Sequence, residues 1–326
     1  MSAAPLDRPA LVAAARATIR KGSKSFAAAS ALFDRTTRER VWLLYAWCRA
    51  CDDIVDAQDM GGALGDQSGA AERLALVRQR TAQAMAGQPA GDPAFDALGL
   101  VARETGLTMA MAEAVIGGFA LDAADWQPRS EADLMRYCWH VAGAVGVMMA
   151  VVMGVAPDDE DTLDRAADLG LAFQLANIAR DLSEDDAAGR CYIPAEWLAE
   201  VDIPPGEQMK PIHRAAMAKL ARRMCSLAQA HECSARIGAG RLSPRQRWAI
   251  LAAAGIYGDI ARKVAERGEQ AWHSRTVVSG KEKLAWIARA GWRAMRPVPA
   301  SCHQGAAHRR HTRRDLIALA EARPFG

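Results

Sequence analysis

The chain has 326 residues, 51% of them hydrophobic, and its 41 Lys and Arg against 38 Asp and Glu leave a formal charge of +3. That composition suffices for a buried core and excludes whole-chain disorder, while the near-neutral balance gives no global case for nucleic-acid binding. Alanine fills thirteen of the first fifty positions and aromatic residues make up only 6%, a bias toward helices over sheets.

The N-terminal stretch places Asp7, Arg8, Arg16, Arg20 and Lys21 among its apolar residues, so it lacks the uninterrupted apolar region of a signal peptide. Helical periodicity predicts helices over 8–20, 36–59, 70–86, 94–104, 108–124, 130–155, 160–186, 208–237, 244–267 and 281–294. Turn chemistry marks the breaks at Gly61-Gly62, Gly87-Gln88-Pro89, Asp92-Pro93, Pro157-Asp158, Pro204-Pro205 and Ser243-Pro244. Ser243 before Pro244 reads as an N-cap followed by the first helical position. No stretch shows successive alternating strands, so a single large α-bundle is expected rather than two domains. The longest uncharged run, 141–157, falls short of the ~20 apolar residues of a membrane span. It reads as a helix buried on all sides, with contact to a bilayer left open.

Seven cysteines, an odd number scattered from Cys48 to Cys302, point to a reducing compartment rather than a disulfide framework. Cys48 and Cys51 form a lone C-x-x-C with no second pair to complete a zinc site, and they read as small hydrophobes on one helix face.

Two acidic segments carry the chemistry. In the first, Tyr45, Arg49, Asp52 and Asp56 follow one another at steps of three and four residues, which aligns a phenol, a guanidinium and two carboxylates on one helix face. Asp53 stands beside them, and Arg49 has a plain alternative as its salt-bridge partner. In the second, Gln174, Asn177, Asp181 and Asp185 run at spacings of three, four and four, with Leu175, Ile178, Ala179 and Leu182 on the opposite positions. Such polar stripes on apolar helices are costly unless they face water, metal or ligand. If the two helices face each other, the carboxylates converge, and an oxygen-only donor set of this kind suits Mg²⁺ or Mn²⁺ held together with substrate phosphate. Arg49, Arg180 and Arg190 would add charge-assisted hydrogen bonds to a departing diphosphate. Gly143, Ala144 and Gly146 in the apolar run either admit close helix packing or leave room for a long hydrocarbon.

These residues resemble the squalene/phytoene synthase family, and within it the bacterial phytoene-forming members. The similarity runs from Gly22-Ser23-Lys24-Ser25-Phe26 through Asp52–Asp56, Tyr137-Cys138, Val141-Ala142-Gly143, Val145-Gly146 and Asn177–Pro194 to about Leu284. It implies an all-α fold, a single helical bundle of the isoprenoid synthase type with a central apolar cavity. It also implies head-to-head condensation of two geranylgeranyl diphosphates to phytoene through prephytoene diphosphate. By the same resemblance Asp52, Asp56, Asp181 and Asp185, with Asn177, would hold the metal. Ser23, Ser25, Phe26, Tyr45, Arg49, Gln174, Asn177, Arg180 and Tyr192 fall on positions used around the diphosphates, and Tyr137 and Tyr257 in segments near the reacting ends. Ala179 stands where Leu is usual, and Cys191-Tyr192-Ile193-Pro194 replaces an aliphatic-Tyr-Leu-Pro; both departures bear on chain-length preference. Taken singly, Ser23 and Ser25 read as helix caps, and Tyr45, Tyr137 and Tyr257 as core aromatics.

Two rivals remain at this level. One is a sister synthase making squalene, dehydrosqualene or hydroxysqualene from farnesyl diphosphate; the other is a non-catalytic, membrane-associated helical protein. The synthase domain is expected over 1–294 and a basic tail over 295–326. The tail block His308-Arg309-Arg310-His311-Thr312-Arg313-Arg314 reads as a solvated end, with attraction to anionic lipid as the sharper alternative. A cytoplasmic location follows, with peripheral contact at the inner membrane face left open.

Overall fold

A computed structural model describes residues 7–59, 65–66 and 68–322. The Gly61-Gly62 turn lies outside the described residues, as do the side chains of Lys24 and Ser25. The described residues form helices and turns without a strand, and they divide into two compact units, Met1–Ala124 with Val147–Leu163, and Asp125–Gly146 with Asp164–Pro324.

The first unit holds α1 (Arg8–Gly22), α2 (Lys24–Ser30), α3 (Arg35–Val55), α4 (Ala70–Met85), α5 (Pro93–Thr105) and α6 (Met109–Ala123). Side-chain caps start most of them: Asp7, Ser23, Asp34, Asp92 and Thr108 each accept a backbone N–H of the following turn, satisfying donors that a helix start leaves open. Helices α1, α3 and α5 pack on one another through Leu11, Ala15 and Ile19, Val41, Leu44 and Trp47, and Phe95, Leu98 and Val101, all buried. Trp47 satisfies its indole N–H on Thr81 Oγ1 at 3.1 Å. One ion-pair network ties the three helices, with Glu104 accepting from Arg8 at 2.7 Å and from Arg40 at 2.9 Å.

The chain continues through α7 (Glu131–Cys138), a π turn over Trp139–Gly143, α8 (Ala144–Val152) and α9 (Glu160–Ala187). Glu131–Val152 is long and apolar enough to cross a membrane by length and composition, but 72% of its apolar window is buried inside the protein, as the sequence led us to expect of a core helix. Its small residues serve close packing. A Cβ on Gly146 would fall 2.3 Å from Ala166 O, and one on Gly170 of α9 would fall 2.1 Å from Ala142 O, distances that side chains do not tolerate. Backbone meets backbone along this contact.

The second unit adds α10 (Ala195–Ala199), α11 (Arg214–Ala239), α12 (Pro244–Arg267), α13 (Gly280–Ala294), α14 (Ala300–Ala306) and α15 (Arg313–Ala322). Helix α11 starts six residues later than the periodicity suggested, because Pro211–His213 forms a 3₁₀ turn. The basic end is not fully solvated: Arg309 and Arg313 are largely withdrawn from water, while Arg310 stays exposed beside its partner. Arg309 pairs with Asp168, which is fully buried on α9 and also takes Ser234 Oγ at 2.5 Å and His231 Nδ1 at 2.7 Å. Arg310 reaches Glu131 at 3.2 Å and Arg313 reaches Asp164 at 2.7 Å. These carboxylates lie far back in the chain, so the sequence of the tail alone conceals the pairing.

Candidate active site

The first acidic segment closes α3. The helix ends at Val55, earlier than the expected 59, because Ala57 adopts a left-handed backbone with φ of 50°. The Asp56 N–H still bonds to Asp52 O at 3.0 Å, so the two carboxylates keep their one-turn separation. Arg49 Nη1 donates to Asp52 at 2.5 Å and lies 3.7 Å from Asp53, and Gln58 adds a bond to Asp52 at 3.1 Å. One turn earlier, the Tyr45 ring packs against Phe26 with centroids 5.5 Å apart. Phe26 is placed by α2, whose N-cap Ser23 accepts the Phe26 N–H at 3.2 Å. Ser23, Phe26, Tyr45, Arg49 and Asp52 thus form one continuous row.

Burial raises the Tyr45 phenol above its ordinary pKa, with the positive charge of Arg49 opposing. For Arg49, burial works against the charge, yet Asp52, Tyr45 and Asp53 outweigh it and hold the guanidinium above its usual range. Both groups are therefore fixed at neutral pH, one as a neutral hydroxyl and one as a cation. The Tyr45 hydroxyl and the Arg49 guanidinium interact with each other on this row, while Arg49 Nε is buried without a hydrogen-bond partner of its own.

The second segment lies on α9. Leu175, Ile178, Ala179 and Leu182 are buried, while Gln174, Asn177, Arg180, Asp181 and Asp185 are partly exposed, so the expected division of faces holds. Arg180 grips Asp181 with a two-pronged contact, Nε to Oδ1 at 2.7 Å and Nη2 to Oδ2 at 2.5 Å. Burial opposes the Arg180 charge, but Asp181 overrides it and the guanidinium pKa is raised. Tyr257 of α12 comes to the same stripe: its ring stacks on Phe173 at 4.1 Å, and its phenol lies near enough to influence Arg180.

Two residues of this cluster escaped sequence reasoning. Arg275 donates to Asp181 at 2.9 Å, and Trp272 donates its indole N–H to Ala179 O at 3.0 Å. Both sit in the irregular stretch after α12, where no periodicity flags a residue. Tyr137 and Tyr192, assigned to different roles by resemblance, are brought together: their rings stack at 4.7 Å, and Trp126 extends the stack to Tyr137 at 6.0 Å. Trp126 was the third residue that no pattern revealed. Ser25 carries no side-chain description. Cys48 and Cys51 are inert, since burial pushes the Cys48 thiol up to about 12 and Cys51 also well above its ordinary value.

Among the described residues no three His, Cys, Asp or Glu side chains gather into a closed metal cage. The acidic stripes carry carboxylate oxygens, the donors that a hard ion such as Mg²⁺ or Mn²⁺ takes together with water and substrate phosphate. Within each unit the donors suit such an ion: Asp52 and Asp56 in the first, and Asp181 and Asp185 with the Asn177 carbonyl in the second, offer oxygen. The Arg49 guanidinium, with its Nε unpartnered, and the neighbouring Tyr45 hydroxyl fit the anion such an ion would accompany.

Comparison with known proteins supplies the rest. The profile of the squalene/phytoene synthase family matches residues 19–282. A "15-cis-phytoene synthase" of Enterobacter agglomerans is 46% identical over 84% of this chain and 92% of its own. A "Phytoene synthase" of Pseudescherichia vulneris is 44% identical over 89% of this chain and 94% of its own. Among solved structures, a dehydrosqualene synthase superposes with a TM-score of 0.79 at 24% identity, covering 88% of this chain and 98% of its own, a likeness of fold.

Proposed function

The chain belongs to the squalene/phytoene synthase family and is a prenyltransferase, and we propose that it acts as a 15-cis-phytoene synthase of carotenoid biosynthesis. Two geranylgeranyl diphosphates would condense head to head, through prephytoene diphosphate, to phytoene with release of diphosphate. The observation that carries this is the 46% identity to a 15-cis-phytoene synthase over 84% of this chain and 92% of that one. The dehydrosqualene synthase likeness, at 24% identity, is a likeness of fold and does not argue for farnesyl diphosphate.

The chain's own residues supply binding, charge and shielding. Asp52, Asp56, Asp181, Asp185 and Asn177 would hold Mg²⁺ or Mn²⁺, which when bound neutralises the diphosphate and stabilises it on departure. Arg49 and Arg180 stay charged, and each would donate to diphosphate oxygens in place of part of its present carboxylate contact. The neutral Tyr45 hydroxyl offers a further donor beside Arg49. Ser23, Ser25, Gln174 and Tyr192 would line the substrate head, with Phe26 holding Tyr45 in place. The aromatic stack of Trp126, Tyr137 and Tyr192 and the Phe173–Tyr257 pair present ring faces that attract a carbocation without reacting as bases.

The test is incubation of the protein with Mg²⁺ and either geranylgeranyl or farnesyl diphosphate, without NADPH, followed by product mass. Phytoene from the longer substrate, dependent on the ion, is expected. A product from farnesyl diphosphate alone, or no pyrophosphate from either substrate, overturns the assignment.

A further inference from the structure

The outward side of α13 is apolar. Its inner side is spent on packing: Trp286 lies against Gly255 of α12, Trp248 donates its indole N–H to Ile287 O at 2.8 Å, and Ala290 is buried. Yet Leu284 is 68% exposed, Trp292 53% and Met295 79%. With Ala288, also exposed, they fall within about 80° of one another at the rotation of an α-helix. Val277, just ahead of the helix, is 65% exposed as well. Cations accompany this stripe: Lys281 lies in it at the start of the helix, Arg289 and Arg296 are exposed along one side, and Arg296 sits 3.7 Å over the Trp292 ring. A cavity of 640 Å³ borders it, lined by Trp292 together with Arg236, Arg247, Arg262, Arg293 and Arg296. Glu232 answers Arg236 and Arg262 there, while partial burial and the neighbouring charge of Arg236 hold the Arg293 guanidinium below its ordinary pKa.

We propose that this face of α13 docks on a bilayer containing anionic lipid. Leu284, Ala288, Trp292 and Met295 would enter the acyl boundary, with Lys281, Arg289, Arg293 and Arg296 at the headgroup phosphates. An apolar stripe bordered by Lys and Arg, with a Trp at the edge, is the composition of helices that lie in a membrane interface. A second copy of the chain is a poorer occupant. A two-fold contact would set the same cationic rim against itself, whereas an anionic surface neutralises it. Arg309 and Arg313 of the tail are not the source of this surface, because both are held against carboxylates and largely withdrawn from water. The surface stands without the proposed activity; with it, the protein would sit beside the phase into which a hydrocarbon product partitions.

The experiment is co-sedimentation of the full chain with vesicles of phosphatidylcholine alone and of phosphatidylcholine mixed with phosphatidylglycerol, at low and high salt, alongside light scattering. Parent protein is expected to bind the anionic vesicles, less at high salt. Leu284→Glu with Met295→Glu should weaken that binding by more than about tenfold while helix signal and melting temperature stay at parent values, since both side chains are exposed. Lys281→Glu with Arg289→Glu should abolish the preference for anionic vesicles. Three results overturn the proposal: no vesicle binding by the parent, equal binding by the Leu284/Met295 variant, or a dimer that this variant dissociates without any vesicle binding. Because the readout is binding, its failure is separable from a failure of the proposed activity.

Discussion

Arg180 shows what a single side chain contributes. Its fork meets both oxygens of Asp181, with Arg275 adding a third contact to the same carboxylate. A lysine keeps the charge but offers one point donor where the guanidinium offers two in a plane. Arg180→Lys is therefore expected to lower turnover by about tenfold or more with an unchanged far-UV helix signal; steady-state rates on geranylgeranyl diphosphate check it. The Arg180–Asp181 dipeptide and the stripe around it could be read from spacing alone. Arg275, Trp272 and Trp126 could not, because they reach their partners from irregular backbone that has no period to read.

Helices set the next level. Long elements were legible: α9 and α12 end within a residue of their expected bounds, since several turns of repeating burial outweigh any local ambiguity. Helices α2, α10 and α14, at 7, 5 and 7 residues, were invisible because fewer than two full turns carry no periodic signal. The choice between packing and hydrocarbon room at Gly143 and Gly146 also had to await coordinates, since both uses want small residues. Close packing makes Gly170→Ala costly. Its Cβ would press on Ala142 O, and a loss of about 1–3 kcal/mol is expected, read as a lowered urea midpoint. The tie among α1, α3 and α5 carries a pH signature. Burial raises the Glu104 pKa, but the bonds from Arg8 and Arg40 more than reverse this and leave it lowered. A depressed folded pKa contributes stability above the unfolded value and loses it as pH falls through the folded one. Glu104→Gln should therefore be less stable than the parent at neutral pH, with the gap closing in acid below the ordinary glutamate range. Thermal melts across pH will show whether it closes.

At the scale of the molecule, Arg309 and Arg313 make part of the basic end structural. Arg309 meets Asp168 across 141 residues of sequence, and a run of positive charge looks the same whether its partners are solvent or buried acids. Removing Arg309 takes a cation from Asp168, which is buried in the fold beside His231 and Ser234. Arg309→Ala is expected to cost about 3 kcal/mol, as loss of one partner of a buried pair does, and to lower the melting temperature by several degrees.

We propose that the two aspartate pairs, remote in sequence, serve one metal-dependent condensation. The most direct measurement is pyrophosphate release from geranylgeranyl diphosphate with Mg²⁺ by Asp52→Asn, by Asp181→Asn and by the double variant. Groups that act as a unit lose nearly everything at the first substitution. Each single variant should fall by about a hundredfold or more with helix content intact, and the double variant little further. Parent-level release by either single variant would contradict the account.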